Sequence, residues 1–259
     1  MTLENTLRDD RIGEVSYTKY GTKAILLEYI NRHKVLVEFQ DKYRFKYYTS
    51  YSNFKNKSLT NPYECRFKYG IGFIGIGKYN SKDHKIPYSK WKAILHRCTC
   101  NDYDAKNNES IASYKDCTVC DEWLNFQNFA SWFYENLYEC DEELCVDKDI
   151  LFHGNKIYSP DTCLLVPERI NLLLVKEKSN RGNYPIGVHK PKSRNRYIAS
   201  MSTLEGKQYI GSYLTADMAF SAYKTEKEKY IKNTAVTYKD KIPSKVFNAV
   251  YNYEILIID

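Results

Sequence analysis

The chain has 259 residues, 43% of them hydrophobic and 27% charged, which is typical of a folded globular protein and excludes a disordered one. No apolar run is long enough to span a bilayer and residues 1–10 do not resemble a secretory signal, so we expect a cytoplasmic protein without a membrane partner. The net charge of +7 fits either a solvated surface or a nucleic-acid partner, and the eight cysteines are expected to be reduced thiols.

Alternating apolar and polar residues dominate the first part of the chain. Residues 23–29, 34–39 and 43–48 show this period of two and are separated by turn-like pairs. Residues 1–60 are therefore predicted to form a small antiparallel β domain. Its basic residues are interleaved with aromatics and are candidate phosphate-binding groups: Lys42, Arg44, Lys46, Lys55 and Lys57.

The next part of the chain is rich in glycine and is followed by two segments with helical spacing of apolar residues. Residues 61–87 hold four glycines and are predicted to be an ordered connector, not a phosphate-cradling loop, because the strand-then-helix context is missing. Helical spacing gives two apolar faces, which we interpret as core: Trp91, Ile94, Leu95 and Cys98 on one helix, and Phe126, Phe129, Ala130, Phe133 and Leu137 on the next.

The segment Cys145 to Cys163, CVDKDILFHGNKIYSPDTC, concentrates polar groups around one tight turn. It is predicted to form a strand, a turn and a second strand, followed by a helix at residues 166–175 with Pro167 near its first turn. Two aspartates, a lysine, a histidine and an asparagine in so short a stretch are what a metal-assisted phosphodiester site needs.

The rest of the chain changes from helical to strand periodicity. A basic linker at residues 176–183 precedes predicted strands at 184–190, 196–203 and 208–213. A helix over residues 215–232, with Thr215 as its N-cap, and a further helix at 244–251 complete the chain. The fold class is therefore predicted to be α+β.

Several short motifs in order resemble phage-encoded HNH endonucleases of the His-Me finger class. They span residues 88–175 and include Trp91, Arg97-Cys98, Tyr114, the run VCDEW at 119–123, Phe126, Phe129, DKD at 147–149, Gly154-Asn155 and YSP at 158–160. Residues 184–232 are similar to the AP2 DNA-binding domain, through Gly187-Val188, RYIA at 196–199, YIGSY at 209–213, Thr215, Ala219, Ala222 and Tyr223. The C-terminal domain is taken to extend over residues 184–259.

The first resemblance implies a ββα-metal domain that holds one Mg²⁺ or Mn²⁺ against a scissile phosphate. Asp147 would be the first metal ligand, Asp149 a weaker candidate and Asn171 on the following helix the second ligand. Asn155 would be a catalytic-site residue that pins both the turn and the base. The position of the catalytic histidine holds Lys148, a poor base because its ordinary pKa keeps it protonated. His153 could replace it as the base, and Lys148 could instead hold the phosphate as a fixed charge.

Two alternatives to this chemistry stay open at the level of sequence. The two aspartates could simply cap turn amides, and Asn155 could form a turn without chemistry. A structural Zn²⁺ could be bound by four thiolates, those of Cys98, Cys100, Cys117 and Cys120, although these cysteines could equally be core residues.

The AP2 resemblance implies a three-stranded sheet in the major groove of double-stranded DNA. The residues placed to contact DNA are Lys190, Lys192, Arg194, Arg196 and Lys207, which could otherwise be solubilising edge charges. The expectation is a phage-type DNA endonuclease acting in the cytoplasm of a bacterial host. The alternatives are a DNA-binding protein that has lost catalysis, and an inhibitor that binds another protein.

Overall fold

A computed structural model describes residues 10–65, 70–99, 114, 116–174, 184–193 and 195–257. Over these ranges the protein is a mixed α+β structure, as predicted. The described residues form two compact units, one from Met1–Thr99 and Asp121–Ala130, the other from Cys100–Cys120 and Ser131–Asp259. Within the described ranges no helix is long and apolar enough to cross a membrane.

The first unit begins with an antiparallel sheet whose strands pair in chain order: β1 (Val15–Tyr17), β2 (Lys23–Asn31), β3 (Lys34–Phe39) and β4 (Lys46–Thr49). Alternate residues of β2 and β3 are buried together with Phe54 of a short helix, α1 (Tyr51–Lys55), which was not predicted. The side chain of Ser50 starts this helix by accepting a hydrogen bond from the amide of Asn53, at 3.1 Å.

The third predicted strand starts later than its sequence pattern indicates. The run at 43–48 becomes a strand only at Lys46, because Asp41 Oδ1 accepts hydrogen bonds from the amides of Tyr43 (2.9 Å) and Arg44 (3.0 Å). Arg44 also has a positive φ of 51°, which a strand does not allow. A local side-chain bond thus replaces the first strand residues with a turn.

Helix α2 (Lys85–Thr99) carries the predicted apolar face of the first unit. Trp91, Ile94 and Leu95 are buried as predicted, and Trp91 Nε1 donates a hydrogen bond to the carbonyl of Trp123 at 2.6 Å. Cys98, expected on the same face, is only half-buried. The described part of the glycine-rich connector is ordered, since Gln127 Nε2 donates to the carbonyls of Ile74 (3.0 Å) and Tyr79 (2.8 Å).

Helix α3 (Phe126–Glu135) buries four of its five predicted core residues: Phe126, Phe129, Ala130 and Phe133. Leu137 was predicted on the same face, but the helix ends two residues before it. Its side chain is 47% exposed, because the helical period no longer applies beyond Glu135.

The second unit contains a strand, a turn, a strand and a helix, but the last two are displaced from their predicted positions: the strand that pairs with the first lies beyond Cys163, and the helix predicted at 166–175 begins only at Glu168. Strand β6 (Leu144–Asp147) pairs antiparallel with β8 (Leu164–Pro167), and α4 (Glu168–Leu173) follows directly, with Pro167 at its N-terminus. Two further short strands, β5 (Thr118–Val119) and β7 (Ile157–Tyr158), pair in parallel and flank the turn. All four residues of β8 are buried.

A three-stranded antiparallel sheet and a long helix complete the second unit. The strands are β9 (Val188–His189), β10 (Tyr197–Thr203) and β11 (Gly206–Tyr213), with β10 in the centre. Helix α5 (Ala216–Thr237) begins at the predicted N-cap, where Thr215 Oγ1 accepts from the amide of Met218 at 3.2 Å, and α6 (Ser244–Tyr251) packs against it.

The predicted boundary near residues 176–183 does not separate two cores, although the segment itself lies outside the described residues. Ile150, Val166 and Ile170, from the strand–turn–strand–helix segment, share one buried cluster with Val188 and Ala199 of the sheet. Within the second unit this segment therefore shares one core with the C-terminal sheet, whereas the helix residues 88–99 and residues 121–130 of the same predicted domain belong to the first unit.

Gly187 explains why the predicted strand at 184–190 is reduced to two residues. Its φ is +75°, and a Cβ at this position would lie 2.1 Å from the ring of Tyr223, which is buried. The sheet therefore approaches α5 more closely at Gly187 than any side chain permits.

We expect Gly187→Ala to destabilise the protein much more than Gly154→Ala. Both glycines have a left-handed φ, +75° and +69°, but a Cβ at Gly154 would meet no atom within 4 Å. The control should lose about 1 kcal/mol for the strained backbone, and Gly187→Ala about 1–3 kcal/mol more for the clash. Urea unfolding of both variants measures the difference, and equal losses would contradict the close packing on Tyr223.

Lys227 is buried in α5, and its Nζ donates to the carbonyl of Ser202 at 2.7 Å. Burial lowers the pKa of this lysine to about 8. Between pH 8 and the ordinary value of 10.5 the unfolded chain holds a proton that the folded state has lost, so stability should rise with pH across this window.

We expect Lys227→Met to remove this pH dependence. Below pH 8 the buried ammonium of Lys227 lowers the free energy of unfolding by up to about 3 kcal/mol relative to a neutral side chain. This difference between the wild type and the variant should become smaller as the pH approaches 10. Urea unfolding at pH 7.0 to 9.5 tests the trend. Lys229→Met, at an exposed position of the same helix, controls for the loss of one positive charge from the helix. Its free energy of unfolding should differ from that of the wild type by the same amount at every pH in this range.

Candidate functional site

Asp147 ends β6 and opens the turn at residues 148–156. Its Oδ1 accepts hydrogen bonds from the amides of Asp149 and Ile150, both at 2.8 Å. Within the described residues Oδ2 of the same carboxylate accepts no hydrogen bond. Burial raises the pKa of Asp147. One oxygen therefore fixes the carboxylate to the turn, and the other is left for a ligand.

Lys148 is directed into the protein and is only 6% exposed. Its Nζ donates to both carboxylate oxygens of Asp149, at 2.8 and 2.7 Å, and to the carbonyl of Asn155 at 2.9 Å. An ammonium has three donors and no acceptor, so these contacts use all of its donors. This arrangement favours a structural role for Lys148 over the predicted catalytic or phosphate-binding role.

Asn155 closes the turn through its side chain, which is the structural half of the role predicted for it. Its Nδ2 donates to the carbonyls of Lys148 (2.9 Å) and Ile157 (2.8 Å), and its Oδ1 accepts from the amide of Ile157 at 3.2 Å. The amide of Asn155 donates to the carbonyl of Phe152 at 3.1 Å, across a Gly154 with a φ of +69°. We call residues 148–157, held by Lys148 and Asn155, the braced turn.

His153 lies in the braced turn with an exposed side chain. One face of its ring packs against Tyr253, with the ring centroids 4.7 Å apart and an interplanar angle of 34°. Tyr253 is itself buried in the core of the second unit. The imidazole of the candidate base is therefore positioned by a rigid neighbour.

The three predicted metal ligands differ in how available they are. Asp149 is paired with Lys148 through both carboxylate oxygens, whereas the side-chain amide of Asn171 on α4 makes no hydrogen bond within the described residues. The part of the chain that the structure describes contains no group of three or more His, Cys, Asp and Glu residues that could hold a metal ion. Oxygen donors from one carboxylate and one amide, completed by water, suit Mg²⁺ or Mn²⁺.

The four cysteines predicted as zinc ligands are distributed over both units. Cys98 belongs to the first unit and Cys117 and Cys120 to the second, while Cys100 lies outside the described residues. Cys117 is buried, and burial raises the pKa of its thiol. A thiolate is the form that binds zinc, so this environment favours Cys117 as a small core residue.

The sheet of β9, β10 and β11 has one face against α5 and one open face. The register pairs Ser200 with Tyr209, Ser202 with Lys207, and Ile198 with both His189 and Ser212. These residues alternate with Val188, Ala199 and Met201, which are buried, and so form the open face. Tyr209 is 61% exposed there.

The sequence pattern identified Lys207 but missed His189, Ser200 and Tyr209 as members of this face. Lys207 and Tyr209 are two residues apart on β11, and the β-bulge opposite Ala199 and Ser200 comes only after Tyr209, so strand alternation puts both on one face. The cross-strand pairing is what adds His189 and Ser200, from the neighbouring strands, to the same surface.

The other predicted DNA contacts surround this open face. Arg196 is exposed, with Nη2 donating to the carbonyl of Ser212 at 3.2 Å, and Lys190 Nζ lies 4.8 Å from the centre of the Tyr197 ring. Lys192 is exposed and Arg194 lies outside the described residues. Glu205, the single acid in residues 184–213, accepts a 2.8 Å hydrogen bond from Tyr230 of α5. The strands thus keep a net positive charge.

The basic residues of the N-terminal sheet are largely paired within the first unit. Arg44 and Lys46 both bind Glu38, at 2.8 and 3.0 Å, and Lys55 binds Glu14 at 3.4 Å. Lys42 lies over the ring of Tyr43, with Nζ 5.1 Å from its centre, and Lys57 lies two residues beyond the end of α1 with a φ of 56°. These internal ion pairs make this sheet a weaker candidate for phosphate binding than the C-terminal sheet.

We expect Asp147→Asn to stabilise the protein at neutral pH when divalent ions are chelated. Because the pKa of Asp147 is higher in the folded state than its value of 3.8 in the unfolded chain, this carboxyl contributes favourably to stability below pH 3.8. That contribution is lost as the pH rises through the folded-state pKa. The asparagine keeps the Oδ1 acceptor but carries no charge. Urea unfolding in EDTA should show that the variant has a larger free energy of unfolding than the wild type, by an amount that grows from pH 4 to pH 7. A difference that is constant or negative would contradict the raised pKa of Asp147.

Comparison with known proteins gives no family for this chain. No protein-family model matches it, and neither a curated protein nor a solved structure matches it.

Proposed function

We propose that the protein is an HNH-type endonuclease that binds double-stranded DNA and hydrolyses its phosphodiester bonds with one Mg²⁺ or Mn²⁺. In this proposal the open face of the C-terminal sheet binds the duplex, and the braced turn carries the cleavage site. A phage-encoded enzyme of this type would act in the cytoplasm of a bacterial host.

The observation that carries the proposal is the unused oxygen of Asp147: two turn amides hold Oδ1, while Oδ2 accepts no hydrogen bond from the described residues. The raised pKa of this carboxyl supports it, because ionisation then costs stability and such groups concentrate at functional sites. A divalent ion would favour the ionised form and remove that cost. The position of Asp147, at the end of the first strand of a strand–turn–strand–helix segment, is also the ligand position that the HNH resemblance implies.

Residues in and beside the turn would have different roles in the reaction. Asp147 Oδ2 and the Asn171 amide oxygen would hold the ion, which when bound neutralises charge on the scissile phosphate and on the leaving oxygen. His153, positioned by Tyr253, would accept the proton of the attacking water. Lys148 takes no part in proton transfer and instead keeps the turn in shape.

The open face would supply most of the DNA affinity. Lys207, Arg196 and Lys192 would contact phosphates, while Tyr209 and the serines of β10 present polar groups to base edges. The hydrogen bond between Glu205 and Tyr230 keeps the nearest acid on the side of α5.

A second candidate function is DNA binding without cleavage. It is favoured by Lys148, which stands where the family has its histidine and has no free donor or acceptor. Under this alternative the braced turn is a scaffold only. The two functions differ in whether the protein cuts DNA, not in whether it binds it.

Cleavage of supercoiled plasmid in Mg²⁺ or Mn²⁺ separates the two. We expect wild-type activity to be abolished in Asp147→Ala and to fall about 10²–10⁴-fold in His153→Ala. Asp161→Ala, at an exposed acid outside the braced turn, is the matched control and should cut normally. Salt-sensitive binding without cleavage in either metal would leave the binding function, and no DNA binding at all would point to a protein partner.

The DNA-binding surface has its own test. Lys207→Gln should weaken binding to a mixed-sequence duplex and reduce the slope of log K against log salt by about 1, because one phosphate contact is lost. Lys46→Gln, in an ion pair of the N-terminal sheet, is the control and should leave the slope unchanged. A larger effect of Lys46→Gln would place the DNA on the other sheet.

A further inference from the structure

Phe152 is an aromatic side chain that the braced turn holds away from the protein. It is 56% exposed, and its ring contacts no other aromatic ring in the described residues. The next residue, His153, behaves differently because its ring packs on Tyr253. The turn therefore fixes one ring on the core and presents the other to solvent.

The backbone beneath Phe152 is unusually well fixed for a surface turn. Its carbonyl accepts from the amide of Asn155 at 3.1 Å, and Asn155 is bonded through its side chain to both ends of the turn. Lys148, buried, completes the frame through the carbonyl of Asn155. An apolar side chain on so rigid a support loses little entropy when it binds, which favours a binding role.

The surroundings of Phe152 fit duplex DNA better than a protein or lipid surface. The only acid in residues 148–157 is Asp149, which Lys148 neutralises, while Lys156 adds an exposed positive charge. Ile157, also exposed, gives the turn a second apolar side chain. Phosphates would approach the positive charge, and the stacked bases between them offer an apolar slot.

We propose that Phe152 is a wedge that inserts between two stacked base pairs of the duplex. Apolar side chains that do this unstack the base step and kink the DNA. Ile150, whose amide bonds the Asp147 carboxylate, lies only two residues before Phe152, so the distorted step would lie next to the cleavage site. The inference rests on the proposed function, since it requires that the braced turn meets DNA.

Relaxation of a closed circular plasmid tests the wedge without knowledge of the target sequence. The full-length protein is incubated with the plasmid and a metal-independent type I topoisomerase in EDTA, and the linking-number distribution is read on a gel. Opening a base step lowers the local twist, so wild-type protein should leave the plasmid negatively supercoiled. Phe152→Ala should lose this shift and bind DNA roughly tenfold more weakly, whereas Phe152→Trp should retain both.

Leu137→Ala, at an exposed apolar residue outside the braced turn, is the control and should unwind DNA like the wild type. Thermal unfolding should show Phe152→Ala to be as stable as the wild type, because the ring makes few contacts. Wild-type binding without a topological shift, or an undiminished shift in Phe152→Ala, would refute the wedge and leave DNA binding intact. Absence of any DNA binding by the wild type would overturn both proposals.

Discussion

A single buried ammonium, that of Lys148, organises the candidate site. Burying a charge is unfavourable unless it is paired, and Lys148 is paired with Asp149 while it also donates to the backbone at Asn155. Asn155 in turn donates to the carbonyl of Lys148, so the two residues bind each other across the turn. This reciprocal contact closes the turn that carries Phe152 and His153.

The braced turn is anchored in the same core as the DNA-binding candidate surface. Ile150 in the turn belongs to the buried cluster that contains Val188 of β9 and Ala219 of α5. Two surfaces that share a closely packed core keep a fixed distance from each other, whereas two surfaces joined by a flexible linker do not. In the second unit, the open face and the braced turn are therefore held at a fixed spacing, which suits an enzyme that must cut at a set distance from where it binds.

Two ionisable groups in this unit, Lys227 and Asp147, have pKa values shifted by burial but differ in how completely their side chains are hydrogen-bonded. Lys227 supports the end of β10 through a carbonyl of the strand, and its lowered pKa is a by-product of packing. Asp147 keeps one oxygen without a hydrogen bond in the described part of the chain, although the other is well bonded. Under the proposed function, this unused acceptor is the one that a divalent ion would bind.

The sequence by itself determined the elements whose signals are local. Periodicity located three of the four strands of the first sheet and the helix that begins after the cap at Thr215, because these signals depend on neighbours in the chain. Only the tertiary structure decided that Lys148 is buried, that Gly187 interrupts β9 against Tyr223, and that His189 and Ser200 share a face with Lys207. Each of these depends on a contact that local sequence patterns do not specify: a lysine against the carbonyl of Asn155, a ring against a backbone, and the pairing between strands.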